Sequence, residues 1–423
     1  MLRKFLLGRN ENVLSQSYIW YSIGGVLNAG QSALILMVIS RTNSANDAGI
    51  FSIAYAVACL ALTIGNFGMR GYQATDIENK FNFRTYLISR IISDVGMLLY
   101  IIYYVIKGVA FLNYPTDKCL VIVILGLSKM VDSIEDVFHG KYQRLGRLDI
   151  AGRCLATRYI LIIGSFSMSL IISRDLVISA ACSFSVSLIY FIYTTCLVNP
   201  TLEDNIETKF SKSIWRLFRD CLPLFSGSFL AIYIANAPKY AIDEIGTDVE
   251  QANFNYIFMP VYVVSLLNTF LFQPIITGMA HDYEERNYAS FLKKFYRQIL
   301  VIVSLVLCII LVGYWLGIPV LNIFYNAKLE EYKSSFIILL IGSGFLAMEG
   351  YLQAILTIMR KQQWLVIGFL ISAVSALLLA RPIVLKRGVM GASMLYTGIV
   401  MVQMIVFLIM FTWFWRTKTH ETA

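Results

Sequence analysis

The stretch TLEDNIETKFSKSIWRLFRD, residues 201–220, is a polar, charged seam in a chain that is otherwise strongly apolar. On each side of it lie six apolar runs of about 20 residues, the length an α-helix needs to cross the ~30 Å hydrocarbon core of a bilayer. They fall at 14–40, 48–69, 87–109, 119–138, 155–173 and 176–197, then at 217–242, 253–278, 296–317, 334–357, 363–381 and 389–414. The pattern predicts an all-α integral membrane protein of about 12 transmembrane helices in two six-helix bundles. Residues 1–200 form the first bundle, 201–216 a cytoplasmic linker between lobes, and 217–423 the second bundle. In transporters, a duplicated layout of this kind puts the working site between the halves.

Composition agrees. Apolar residues make up 58% and charged residues 14%, outside the range of soluble domains. The loops are too short to form a domain, so any chemistry must sit within or beside the bundles. Lysines and arginines fix the expected orientation. With the N-terminus inside, the cytoplasmic segments hold Arg70, Lys80, Arg84 and Arg90, then Lys141, Arg144, Arg147, Arg153 and Arg158, and further groups at 209–219, 286–297, 360–361 and 416–418. These far outnumber the cations on the opposite side, which places both termini in the cytoplasm and requires an even number of spans. The net charge of +9 follows from this bias and calls for no nucleic-acid partner. The first apolar run is too long for a cleavable signal and lacks a cleavage site, so it reads as a retained span.

Several chemistries are excluded. The seven cysteines are scattered without a CxxC, and with three histidines the chain offers no zinc or other metal site and no disulfide framework. There is no P-loop, dinucleotide fingerprint, GxSxG or HExxH, so neither an enzyme nor a bound cofactor is expected.

Ionisable residues inside a bilayer are costly and therefore candidates for function. The fourth span, LSKMVDSIEDVFHG, is the densest. Lys129, Asp132, Glu135, Asp136 and His139 fall on one helical stripe about 120° wide. It reads either as the polar wall of a cavity, with Lys129 holding an anion and Asp132 or Asp136 taking a proton, or as a Lys129–Asp132 pair that locks helices. In the seventh span, NAPKYAID places Asn236, Lys239 and Asp243 on one face with Tyr240 alongside, next to the bend expected at Pro238. That face suits a phosphate or sugar, or else carries an ordinary snorkelling lysine. In NFGMRGYQATD, Asn66, Arg70, Gln73 and Asp76 share a stripe that is either an entry clamp or a positive-inside anchor. Arg90 and Asp94 read as a local ion pair. Glu349 is a coupling candidate because no cation lies nearby in sequence, with Gln353 one turn on. Asn28, Gln31, Asn268 and Gln273 read as links between helices. A faint repeat joins the basic turn after the fourth span, HGKYQRLGRLDIAG, to that after the tenth, QAILTIMRKQQWLVIG.

Three segments carry a family resemblance: GMRGYQATDIENKFNFRTYLISR, KMVDSIEDVFHGKYQRLGRLDIAGR, and NAPKYAID followed by FNYIFMPVYVVSLLNTFLFQPIITGMA. In them the chain resembles the polysaccharide-repeat-unit flippases of the multidrug/oligosaccharidyl-lipid/polysaccharide exporter superfamily. The resemblance implies two six-helix bundles in a V-shaped alternating-access fold in a bacterial cytoplasmic membrane. It also implies an undecaprenyl-diphosphate-linked oligosaccharide as cargo, coupling to a proton or sodium gradient, and polysaccharide polymerase and chain-length machinery as partners. For such a cargo, Lys129, Lys239 and Arg70 are the expected diphosphate contacts, with Asn236 and Tyr240 beside them. Asp132, Asp136 and Glu349 are the expected coupling residues. Two competing readings stand: a drug/cation–ion antiporter of the same superfamily, which calls for a net acidic cavity, and a membrane polysaccharide polymerase, which calls for long external loops.

Overall fold

The computed structural model describes residues 2–8, 12–76, 80–201 and 211–422, and places no strand among them. The expected all-α membrane fold is what it shows. A short α1 (Leu2–Leu7) precedes α2 (Val13–Thr42), α3 (Ala45–Asn66), α4 (Met69–Thr75) and α5 (Phe83–Leu112). These are followed by α6 (Thr116–Arg144), α7 (Leu148–Ser173) and α8 (Leu176–Val198). Then come α9 (Ser211–Ile245), α10 (Asp248–Glu284), α11 (Tyr288–Val312), α12 (Ile318–Tyr325), α13 (Lys333–Ile358) and α14 (Leu365–Thr422). The linker expected at 201–216 lies mostly outside the described residues, as do the side chains of Asn268 and Gln273.

Among the described residues, nine helical stretches are long and apolar enough to cross a membrane. α6 is not one of them, because Lys129, Asp132, Glu135 and Asp136 interrupt its apolar run. α14 holds the last two expected spans in one stretch. Its helix breaks at Gly388, whose φ of 52° and ψ of −131° are open only to glycine.

Local signals set the other helix ends. Ser44 and Asp47 form a reciprocal capping box at the start of α3, and Thr247 and Glu250 do the same for α10. The Asn82 side chain accepts the Thr85 amide at 2.8 Å to open α5. The second span departs from expectation at its C-terminal end. Phe67 (φ 43°) and Gly68 (φ 68°) are both left-handed, so the helix stops at Asn66 and restarts as α4. Asn66 therefore does not share a helix with Arg70. The break brings the chain against α9 about four turns from its first residue, where a Cβ on Gly68 would lie 3.0 Å from the Phe225 backbone and Phe67 stacks on Phe225 at 4.3 Å.

The chain forms two compact units, Met1–Phe229 and Leu230–Ala423. In the first, α6 is the hub and packs against α3, α4, α5, α7 and α8, while α2 lies along α7. The α2–α7 crossing is close because Gly152 presents no side chain: a Cβ there would come within 2.4 Å of the Tyr21 amide nitrogen. Small residues permit this kind of backbone approach in membranes. In the second unit α13 is the hub, packed against α10, α11 and α14. Many large apolar side chains face outward, Leu99, Ile172, Leu300, Trp315 and Leu377 among them. The buried positions on α6 include charged and titratable residues, Lys129, Glu135 and His139 among them. A bilayer as solvent favours that arrangement, apolar outside with polar groups inward.

Candidate functional site

The polar stripe of α6 faces inward and is covered by α3, α4, α5, α7 and α8. Lys129 is buried, and its ammonium lies 2.8 Å from Asp132 Oδ2 and 3.2 Å from Gln31 Oε1 of α2. It sits over the rings of Tyr55 and Tyr159, 5.1 and 5.6 Å from their centroids, a cation–π arrangement that is stronger away from water.

Asp132 is held by three groups. Besides Lys129, it accepts Arg158 Nη2 at 2.6 Å and the Tyr159 hydroxyl at 3.0 Å. Arg158 Nη2 also lies 2.8 Å from Glu135 Oε2, and its Nη1 donates to Ser187 of α8 at 3.1 Å. One guanidinium thus ties α6, α7 and α8 together, as its planar fork of donors permits.

A second cluster lies one turn further along α6. Arg90 of α5 is buried, and its Nη2 reaches Asp136 Oδ2 at 3.1 Å. Its Nη1 donates to Asn66 Oδ1 at 2.6 Å and to the Gly65 carbonyl at 3.1 Å. Arg70 of α4 donates to the Asp136 carbonyl and to Gln143 Oε1, each at 2.8 Å. The Arg90–Asp94 pair expected from their spacing gives way to these contacts. Arg90 turns to Asp136 across helices, and Asp94 accepts the Ser133 hydroxyl at 2.6 Å. Gly65 makes room for that contact, since a Cβ there would lie 2.6 Å from Asp94 Oδ1. Around α6 the buried or half-buried cations Lys129, Arg158, Arg90 and Arg70 are matched by Asp132, Glu135, Asp136 and Asp94.

Of the residues singled out from sequence, the first unit brings Lys129 together with Asp132, and Arg70 with Asp136. Gln31 links helices, as its position in the first span suggests. Asn236, Lys239, Tyr240, Asp243, Glu349 and Gln353 lie in the second unit. Asn236, two residues before Pro238, donates back to the Ile232 carbonyl at 3.0 Å. Lys239 is buried over the rings of Phe258 and Tyr262 of α10, at 5.4 and 5.7 Å. Tyr240 stacks on Tyr233. Glu349 of α13 is buried and accepts a hydrogen bond from Gln403 Nε2 of α14 at 3.0 Å, across helices rather than from Gln353 one turn on.

Sequence reasoning missed Arg158, Arg90, Tyr55 and Tyr159 as parts of the site. Arg158 reads as a cytoplasmic cation by the positive-inside count, yet it stands ten residues into α7 and is among the largest fully buried side chains. The signal was present, because no other charged residue lies within four positions of it, from Cys154 to Ile162. Among the described residues no His, Cys, Asp and Glu group is arranged to hold a metal ion.

No protein-family model matches the chain. It is 21% identical over 333 residues, 77% of this chain and 80% of the relative, to the capsular polysaccharide biosynthesis protein CapF of Staphylococcus aureus. Its fold is that of solved transporters. An inward-facing multidrug resistance MATE family transporter of the MOP superfamily superposes with a TM-score of 0.64 at 15% identity, covering 96% of this chain and 99% of that one. A MATE solved in complex with MaD3S gives 0.62 at 14%, covering 100% and 99%. A MOP superfamily transporter from Pyrococcus furiosus, described by the reversed polarity of its binding pocket, gives 0.54 at 14%, covering 97% and 96%. The chain is a multi-pass integral membrane protein with a MATE-type, all-α transporter fold.

Proposed function

We propose that the protein flips undecaprenyl-diphosphate-linked oligosaccharide repeat units from the cytoplasmic to the outer leaflet for surface polysaccharide assembly, coupled to an ion gradient. The observation that carries this reading is the charge balance around α6. An exporter of organic cations is served by an excess of buried acid, whereas here Asp132, Glu135 and Asp136 each lie within ion-pair distance of a lysine or arginine and the Lys129 ammonium is framed by the rings of Tyr55 and Tyr159. Cations beside aromatic plates suit a diphosphate joined to a glycan. The 21% likeness to a capsular polysaccharide biosynthesis protein supports the same cargo. In this reading residues 1–200 and 217–423 are duplicated halves, and both termini face the cytoplasm of a bacterial inner membrane. Lys129, Lys239 and Arg70 contact the diphosphate, Asn236 and Tyr240 the adjoining sugar, and Asp132, Asp136 and Glu349 take part in coupling. A polysaccharide polymerase and its chain-length partners receive the product.

The test is movement of a labelled undecaprenyl-diphosphate oligosaccharide in proteoliposomes, comparing the intact protein with Lys129→Ala and Lys239→Ala. Flipping by the intact protein that drops at least tenfold in a folded variant supports both cargo and site. No movement of such a lipid, together with exchange of an organic cation for protons, replaces this reading by the antiporter one.

A further inference from the structure

The acids of α6 differ in how fully they are satisfied. Asp132 has Lys129, Arg158 and Tyr159; Asp136 has Arg90, with Arg70 3.8 Å away. Glu135 is buried, and neither of its carboxylate oxygens accepts a hydrogen bond. Its contact with Arg158 at 2.8 Å lacks hydrogen-bond geometry and is shared with Asp132. One turn on, His139 is equally buried, its Nε2 has no hydrogen-bond partner, and that nitrogen lies 3.7 Å from Glu135 Oε1. Two unsatisfied titratable groups thus face each other inside the bundle, separated by slightly more than a hydrogen bond. Burying polar atoms without hydrogen bonds is costly, and one shared proton would give Glu135 Oε1 and His139 Nε2 a hydrogen bond.

We propose that Glu135 and His139 form the proton-binding site of the first unit, with the proton held between Glu135 Oε1 and His139 Nε2. The proton arrives from water, adds to Glu135 Oε1 and is donated in a hydrogen bond to His139 Nε2, and the pair passes from one negative charge to none. No other bond breaks. A small rotation of either side chain closes the gap. The titratable and charged groups facing the pair come from four helices: Arg158 and Cys154 from α7, Tyr190 from α8, Arg70 from α4, and Asp132, Asp136 and Tyr142 from α6 itself. Leu6, Phe138, Ile150 and Val198 close an apolar cluster around Tyr142 and Cys154 at the end of the stripe. Arg158 is the lever. Once Glu135 is neutral, the Arg158 guanidinium keeps Asp132 and the Ser187 hydroxyl, and the α6–α7 link loses one of its two carboxylates.

The proposal rests on the transport reading only for its role in coupling, so its test separates the two. The full chain in lipid nanodiscs is titrated by infrared difference spectroscopy, following the carboxylic C=O stretch of buried protonated carboxyls. Asp94 and Glu349 can contribute bands in every sample, so the comparison is between variants. Glu135→Gln is expected to lose one such band. In His139→Gln the amide donates to the carboxylate and favours its charged form, so the band titrates about one pH unit lower. In proteoliposomes, opposite pH gradients change the rate of lipid-linked oligosaccharide movement, and in Glu135→Gln the two rates coincide. An unchanged band pattern in folded Glu135→Gln overturns the proposal. If that variant does not fold, an unmoved midpoint in His139→Gln overturns it instead. Loss of the band in a protein whose wild type moves no such lipid keeps the proton site and removes the flippase reading.

Discussion

Arg158 concentrates the consequences of a single side chain. Removing it leaves Asp132 and Glu135 sharing a buried site without the cation between them, and breaking a buried pair in this way costs about 3–5 kcal/mol. Arg158→Ala is therefore expected to lower the unfolding midpoint in detergent sharply. Arg158→Lys, which keeps the charge and loses the fork, should fall in between. Outside the membrane, Asp282 shows the opposite balance. Hydrogen bonding from the Lys294 ammonium, 2.7 Å away, holds its carboxyl below the usual range, with Ser290 adding a second bond at 2.8 Å. A carboxyl depressed in the folded protein contributes stability above its unfolded pKa and loses it as pH falls through the folded value. The acid limb of a stability–pH profile should accordingly flatten in Asp282→Asn, and an unchanged limb would show that the pair contributes nothing. The stripe from Lys129 to His139 was legible because 100° periodicity reports which residues share a face. Periodicity is silent about depth and about the partner helix, which is why Arg158 and Arg90 read as surface cations and Asp94 as the partner of Arg90.

At the scale of elements, the two hub helices end alike. After α6, Gly146 is left-handed and the Arg147 amide reaches back to the Tyr142 carbonyl at 2.8 Å. After α13, Arg360 is left-handed and the Lys361 amide reaches the Leu356 carbonyl at 2.9 Å. Both are Schellman-type stops, but only the first has the glycine that such a stop favours. A non-glycine residue in that conformation costs about 1–2 kcal/mol. Arg360→Gly should therefore raise the melting temperature, since the exposed Arg360–Glu284 contact at 3.8 Å that it removes is weak. Gly146→Ala should lower it. The faint sequence similarity between these two turns was visible as shared basic character; the common backbone conformation behind it was not, because arginine gives no sign of a left-handed residue. The same limit hid the break at Phe67–Gly68, where one left-handed position is not a glycine. The α2–α7 crossing offers a third check. A side chain at Gly152 collides with the Tyr21 backbone, and Gly152→Leu should cost about 1–3 kcal/mol, read as loss of folded protein after extraction.

For the molecule as a whole, the membrane class and the position of most long helices could be read from run length alone, because a bilayer imposes one length on every span; the expected dozen stands against nine stretches long and apolar enough among the described residues. Sidedness is the whole-molecule expectation still to be measured. Single cysteines placed at Asn12 and Thr417 in a cysteine-free background should react with an impermeant reagent from the same face of the membrane, and reaction from opposite faces would require an odd number of crossings. The density of charge on α6 also bears on biogenesis. On insertion scales, each Lys or Asp near the centre of a span costs about 2.5–3.5 kcal/mol, more than a flanking run of leucine, isoleucine and valine readily offsets. Lys129, Asp132, Glu135 and Asp136 together make α6 a poor client for the translocation channel when it arrives alone. It should be retained there until α7 emerges with Arg158, so that the two leave for lipid as a hairpin. Nascent chains truncated between Arg144 and Arg158 should stay crosslinked to the channel, and those extended past Ser173 should be released.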